Sequence, residues 1–200
     1  NIFYQNDDWP GNNIIYWRKR TAGYIPNAPY GHDGRWRWAI HDTDSTLDEP
    51  DYNSLRDATS TVDVGPNPAW STLILRKLLA NTTFKNDFIN RFADLMNTNF
   101  LSTRIKAKID EIAAIIAPEM PDQYFRWKAP VNNGDWQYHL NEEKDFADER
   151  PGYQRTHIRT KFGISSNINA TLNVSNYDHG YIKISTINIV DGTPGISGNP

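Results

Sequence analysis

Residues 6–17 read NDDWPGNNIIYW. Two carboxylates (Asp7, Asp8), a Trp9-Pro10-Gly11 bend and two amides (Asn12, Asn13) stand directly before a β-branched and aromatic run, Ile14 to Trp17. Asp and Asn hydrogen-bond their own backbone and Pro-Gly bends the chain, so the first part is a turn. A turn joining two buried segments needs only one or two such residues, and the surplus of polar groups asks for a second purpose. The run from Asn13 to Trp17 reads as a short strand launched from the turn.

Downstream, residues 22–34 (AGYIPNAPYGHDG) carry Gly, Pro and Asn too densely for a regular element and read as a loop. The next stretch, RWRWAIHDTD (35–44), alternates, with Trp36, Trp38 and Ile40 on one face and Arg35, Arg37 and Ala39 on the other. It predicts a second strand that buries its tryptophan face in the core and delivers Asp42 and Asp44 at its C-terminal end. Residues 45–69 are polar and punctuated by Pro and Gly, a long loop whose length hints at function.

After Pro68 the period becomes helical. Ser71 caps a helix carrying Leu73, Ile74, Leu75, Leu78 and Leu79, and Asn81 caps a second with Phe84, Phe88, Ile89, Phe92, Leu95 and Met96 on one face. Ser102 precedes a third with Ile105, Ile109, Ile112, Ala113 and Ile116, closed by Pro118. A fourth runs from Trp136 to about Asp148, with Asp135 as its cap. A fifth starts at Arg150-Pro151, with Pro in its first turn, and stops at Gly163. Beyond Gly163 the period is two in NATLNV (169–174) and GYIKISTINI (180–189), followed by a Gly/Pro-rich tail. These strands read as the start of a further β module, or else as a trailing strand on the helical body. Asn81, Asn169 and Asn173 also open N-x-S/T triplets.

Composition narrows the function classes. A formal charge of −3 leaves no electrostatic footprint for a nucleic-acid backbone, so nucleic acid is not an expected partner. No run of about 18 apolar residues is present, and no membrane span is expected in this segment. The absence of Cys excludes disulfides and thiolate metal sites. Seven Trp and ten Tyr imply either a core of large side chains or a carbohydrate-facing surface. The first residues do not have the pattern of a signal peptide, and the chain reads as a portion of something larger.

Two constellations carry chemistry. Asp42 and Asp44 at a strand end suit a hard cation such as Mg²⁺, which takes one or two carboxylates and keeps positions for water and phosphate. The D-x-D opening does not continue as an EF-hand, because the sixth and twelfth positions are Leu47 and Asn53 rather than Gly and Glu. DTDST does match the D-x-D-x-T nucleophile motif of haloacid-dehalogenase-like phosphatases, with Asp42 the nucleophile and Asp44 the general acid. That fold needs repeated βαβ units, which the run of helices here does not supply. His32 and His41 flank the second strand and offer an alternative metal set with Asp42 and Asp44. The remaining pattern joins both constellations. Asp8, then Asn13 five residues on, then two strands ending in an Asp, is the order of a kinase's catalytic and magnesium loops.

NDDWPGNNIIYWR, GRWRWAIHDTDSTL, FINRFADLMNTNF and RPGYQRTHIRTKFG together resemble the spore-coat-protein-H-like (CotH) kinases, over about residues 1–163. These are atypical kinases of secreted and surface-associated bacterial proteins. The resemblance implies an α+β, mainly α fold: the C-terminal lobe of an atypical kinase, with a small N-terminal β element and residues 164–200 as trailing strands or a linker. It implies Mg²⁺-dependent transfer from ATP to a protein Ser or Thr hydroxyl. Asp8 is then the catalytic Asp, Asn13 the metal-holding amide, Asp42 the principal Mg²⁺ ligand and Asp44 a nearby second carboxylate. The pair Asp7 and Asn12 keeps the same spacing and remains open. The β-rich lobe with its phosphate-covering loop and Lys does not lie in this sequence, so this segment alone is expected to be inactive and to hold ATP poorly. A secreted or cell-surface location in a bacterium is expected. The alternative is a non-catalytic surface or glycan-binding module built on the tryptophans.

Overall fold

The structure, a computed structural model, describes residues 1–172 and 174–195. The chain forms two compact units, one from Asn1–Thr46 with Ser54–Arg76, the other from Leu47–Asn53 with the residues from Lys77 onward.

The first unit contains an antiparallel ribbon of β1 (Ile14–Trp17) and β2 (Arg37–Ile40). The register pairs Ile14 with Ile40, Ile15 with Ala39, Tyr16 with Trp38 and Trp17 with Arg37. Asn13, which enters β1, and Asp42, which follows β2, therefore share one end of the ribbon. A two-stranded ribbon has two faces and is marginal by itself. Both faces here are largely open, and the expected tryptophan core does not form: Trp36 is 49 % and Trp38 52 % exposed. Several aromatic rings around the ribbon, Trp36 among them, lie instead under guanidinium groups. Arg18 lies 4.9 Å over Trp36, and Arg37 lies 4.7 Å over Tyr30 and 5.8 Å over Trp17. The core of this unit comes from Ile2, Phe3, Leu55 and Ala58.

Leu55 lies in α1 (Ser54–Asp57), a short helix inside the stretch expected to be a loop. After it, Val64 and Asn67 exchange backbone hydrogen bonds at 2.9 Å each way, closing a turn through Gly65-Pro66. Gly65 has a positive φ of 52°, which a glycine adopts without Cβ strain. The next helix, α2 (Leu73–Leu79), buries none of its residues, and Leu73, Ile74 and Leu78 are exposed.

The second unit is helical. In α3 (Thr82–Met96) the Asn81 side chain accepts the Phe84 N–H at 3.0 Å, the cap its sequence announces, and Phe92 and Met96 are buried. In α4 (Ser102–Ile116) the buried residues are Ile105 and Ile109; Ile112 and Ile116 lie in the open, contrary to the apolar face expected of them. Pro118 does end α4, but the chain continues through a 3₁₀ turn (Ala117–Glu119) into α5 (Met120–Trp127).

One helix, α6 (Asn133–Phe162), replaces the fourth and fifth expected, with Pro151 inside it. Asn132, not Asp135, is its N-cap, accepting from Gly134 and Asp135 N–H groups. Gly163 ends it in the left-handed conformation, as its sequence predicts. Helix α4 packs along α6, with Lys106 and Ser102 on Asp148 and Lys144 on Asp110.

A hairpin of β3 (Ile182–Ile184) and β4 (Ile187–Ile189) follows. Asp94 of α3 accepts the Thr186 N–H at 2.8 Å and its hydroxyl at 2.6 Å, so the hairpin tip is fixed to a helix. Residues 169–172 and 174 form no strand, against expectation; Asn173 and residues 196–200 of the tail lie outside the described residues. Among the described residues no helix is long and apolar enough to cross a membrane, and the sheets are both two-stranded and antiparallel. The parallel βαβ sheet that the phosphatase reading needs is thus missing from them.

Candidate functional site

The polar turn that opens the chain is held by its own backbone first. The Asp8 carbonyl accepts the Asn12 N–H at 2.7 Å and the Asn6 carbonyl accepts the Trp9 N–H at 3.2 Å, which folds residues 6–12 into two consecutive turns. Asn13 follows at φ 47°, a left-handed conformation that Asn tolerates better than most residues, and β1 begins directly after it. The same conformation recurs across the ribbon end at Asp42, with φ 46°. Positive φ at non-glycine residues concentrates at functional positions, where surrounding contacts hold the strain.

Those contacts run through Asn6, which is 3 % exposed. Its amide nitrogen donates to the Asp42 carbonyl at 2.9 Å, and its Oδ1 accepts from the Asn13 amide at 3.5 Å, the long limit of a hydrogen bond. A single buried side chain thus joins two of the four expected site residues. Beside it, the Asp7 N–H donates to the Ser45 carbonyl at 3.3 Å, tying the turn to the loop after β2. Asn13 is buried while Asn12 is exposed, so of the two candidate amides it is Asn13 that reaches the Asn6 bridge.

Asp8 is half-buried within the turn; Asp42 and Asp44 are exposed at the strand end. The donor set of two carboxylates and one amide is hard and oxygen-rich, which fits Mg²⁺. Because the Asn13 amide nitrogen is directed to Asn6, Oδ1 is the atom it has for a cation. Among the described residues no three of His, Cys, Asp or Glu come together, which sets aside the alternative metal set of His32, His41, Asp42 and Asp44. His32 faces Lys19 at 3.4 Å instead.

Two features of this region escape a reading by motif. Asn67 sends its amide to both ends of the turn, its Oδ1 accepting the Gly11 N–H and its nitrogen donating to the Asp7 carbonyl, each at 2.6 Å. Gly-Pro-Asn is legible as a turn, but no spacing rule connects residue 67 with residues 7–11. Asp33, 3 % exposed, is the other. It takes the Arg37 guanidinium in a two-pronged pair (2.7 and 2.9 Å) and Arg35 Nε at 2.6 Å. Arg37 first, then the Arg35 backbone and side chain, hold its carboxyl well below the usual range despite burial.

In the second unit a cavity of about 450 Å³ opens among α3, the end of α6 and the residues after it, lined in part by Ile89, Met96, Arg155, Ile158 and Arg159. None of the expected site residues lines it. Arg159 is committed to the Ile164 and Ser165 carbonyls, and Arg155 to Asn97 and the Pro151 carbonyl.

Against known proteins, residues 1–154 match the model of a family described as CotH kinase protein. Comparison with curated proteins and with solved structures finds no match.

Proposed function

The chain belongs to the CotH kinase protein family, and on that premise we propose that it carries the metal and acceptor side of an Mg²⁺-dependent protein kinase site. Asp8 accepts the proton of a Ser or Thr hydroxyl of a protein substrate as that oxygen attacks. Asn13 and Asp42 hold Mg²⁺ from one end of the β1–β2 ribbon, with Asp44 as a further carboxylate near it. Magnesium-bound ATP supplies the γ-phosphoryl group and the charge neutralisation that such a transfer depends on. The protein residues act by positioning: the turn presents a carboxylate to the acceptor and returns an amide to the metal on the same side.

The observation that carries this reading is Asn6, which ties Asn13 to Asp42 across the ribbon end. Titration of the 200-residue chain with Mg²⁺, followed by NMR and calorimetry, tests it. Saturable binding with shifts at Asn13 and Asp42, lost in Asp42→Asn, is the expected outcome. Binding that is absent, or unchanged in Asp42→Asn, overturns it.

A second reading gains from Trp38, an aromatic side chain exposed on the ribbon. A non-catalytic module would use such a side chain to stack on sugar rings. Retardation on polysaccharide affinity gels, abolished by Trp38→Ala and indifferent to Asp42→Asn, favours that module.

A further inference from the structure

We propose that Asn67 is a positioning residue, the clamp that holds the Asp8 turn in the shape in which Asn13 and Asp42 bind a cation; the proposal rests on the metal site put forward above. Its side-chain amide meets the Asp7 carbonyl and the Gly11 N–H at 2.6 Å each, the two backbone groups that bracket Asp8-Trp9-Pro10. A neutral primary amide offers a donor and an acceptor in one plane, which a carboxylate or a hydrocarbon does not. Asn67 is 5 % exposed, so neither backbone group has water as an easy substitute once the amide is removed.

The clamp is itself fixed. Asn67 exchanges backbone hydrogen bonds with Val64, and the Asp63 carboxylate accepts the Ala69 N–H at 2.8 Å. The turn lies so close that a Cβ on Gly11 would stand 2.6 Å from the Pro66 carbonyl oxygen, 2.9 Å from Pro68 Cδ and 3.0 Å from Asn67 Cα. Glycine at position 11 is therefore what lets the two segments touch. A rigid backbone turn bearing one amide against a catalytic loop is the form of support that fixes a site's geometry without touching substrate.

The test uses Mn²⁺ as a paramagnetic probe on the 200-residue chain, with hydrogen exchange of the Gly11 amide read in parallel. In Asn67→Ala, Mn²⁺ affinity is expected to fall about tenfold, the lower end of what losing an outer support costs a metal site, and the Gly11 amide to lose its protection. Asn67→Asp, which keeps an acceptor for Gly11 and loses the donor to Asp7, retains that protection and serves where the alanine variant does not fold. Ile158→Ala, a core truncation in the other unit, lowers stability with Mn²⁺ affinity unchanged. Wild-type affinity in Asn67→Ala, with binding still lost in Asp42→Asn, overturns the clamp and leaves the metal site standing. Failure of the wild type to bind Mn²⁺ through Asp42 overturns the metal site and the clamp with it.

Discussion

Asp33 and Asn67 show how far a single residue's role depends on partners that sequence spacing does not announce. Asp8, Asn13 and Asp42 could be proposed from the sequence because they follow a local order: a five-residue step, then a strand that returns to the same end. Asn6 stood inside the same quoted stretch, yet its role as the bridge between Asn13 and Asp42 needed the ribbon to close first. For Asp33 the structure gives a pH prediction. Its folded carboxyl titrates below the ordinary value of about 4 because Arg37 and Arg35 favour the charged form. A depressed carboxylate contributes its stability in full above the unfolded value and loses it as pH falls through the folded one. Asp33→Asn should therefore lower the urea midpoint at pH 7, and the gap from wild type should begin to narrow below about pH 4 and go on narrowing as pH falls toward the folded value. Parallel urea titrations at several pH values check it; a gap as wide at pH 2 as at pH 7 would mean that shape rather than charge is what Asp33 supplies.

At the scale of elements, local signals succeeded where a cap decides the boundary. Asn81 opens α3 and Gly163 closes α6 because each satisfies orphan backbone groups with its own neighbours. They failed at Pro151, where the expected break is overridden. Phe146, Arg150, Gln154 and Ile158 are all buried on α6, four residues apart, so one continuous face runs past the proline. Arg150 is fully buried there and donates to the Pro50 and Tyr52 carbonyls at 2.9 and 2.6 Å, which gives partners to a side chain of a type mostly found at the surface. Packing of this face offsets the hydrogen bond that Pro151 cannot donate. Pro151→Ala restores a donor within the helix, and a rise in unfolding free energy of about 1–3 kcal/mol by urea denaturation is expected. An unchanged or lower value would show that the ring itself is needed in the packing. The ribbon failed in the opposite direction: alternation marked β2 correctly, but period two cannot tell which face finds a cover, and Trp36 met a guanidinium group while Trp38 stayed exposed.

For the molecule as a whole, the division into two units cuts across the sequence, since Leu47–Asn53 belongs with the helices and Ser54–Arg76 with the ribbon. No composition shift marks those points. The hairpin likewise belongs with the helical body through Asp94, which is 5 % exposed and takes two hydrogen bonds from Thr186. Asp94→Ala removes both, at a local cost of about 2 kcal/mol, so cleavage between residues 175 and 195 in limited proteolysis should quicken more than tenfold. An unchanged cleavage rate would mean that other packing carries the hairpin. The features legible along the chain were local: turn chemistry, strand and helix periods, caps, and the spacing on which Asp8, Asn13, Asp42 and Asp44 are proposed as site residues. What the tertiary structure alone decided was which polar groups are buried and whom they meet: Asn6 between Asn13 and Asp42, Asn67 beneath the turn, Arg150 inside α6. The physical reason is that periodicity and capping are satisfied within a few residues, whereas a buried amide or guanidinium must find its partners anywhere along the folded chain.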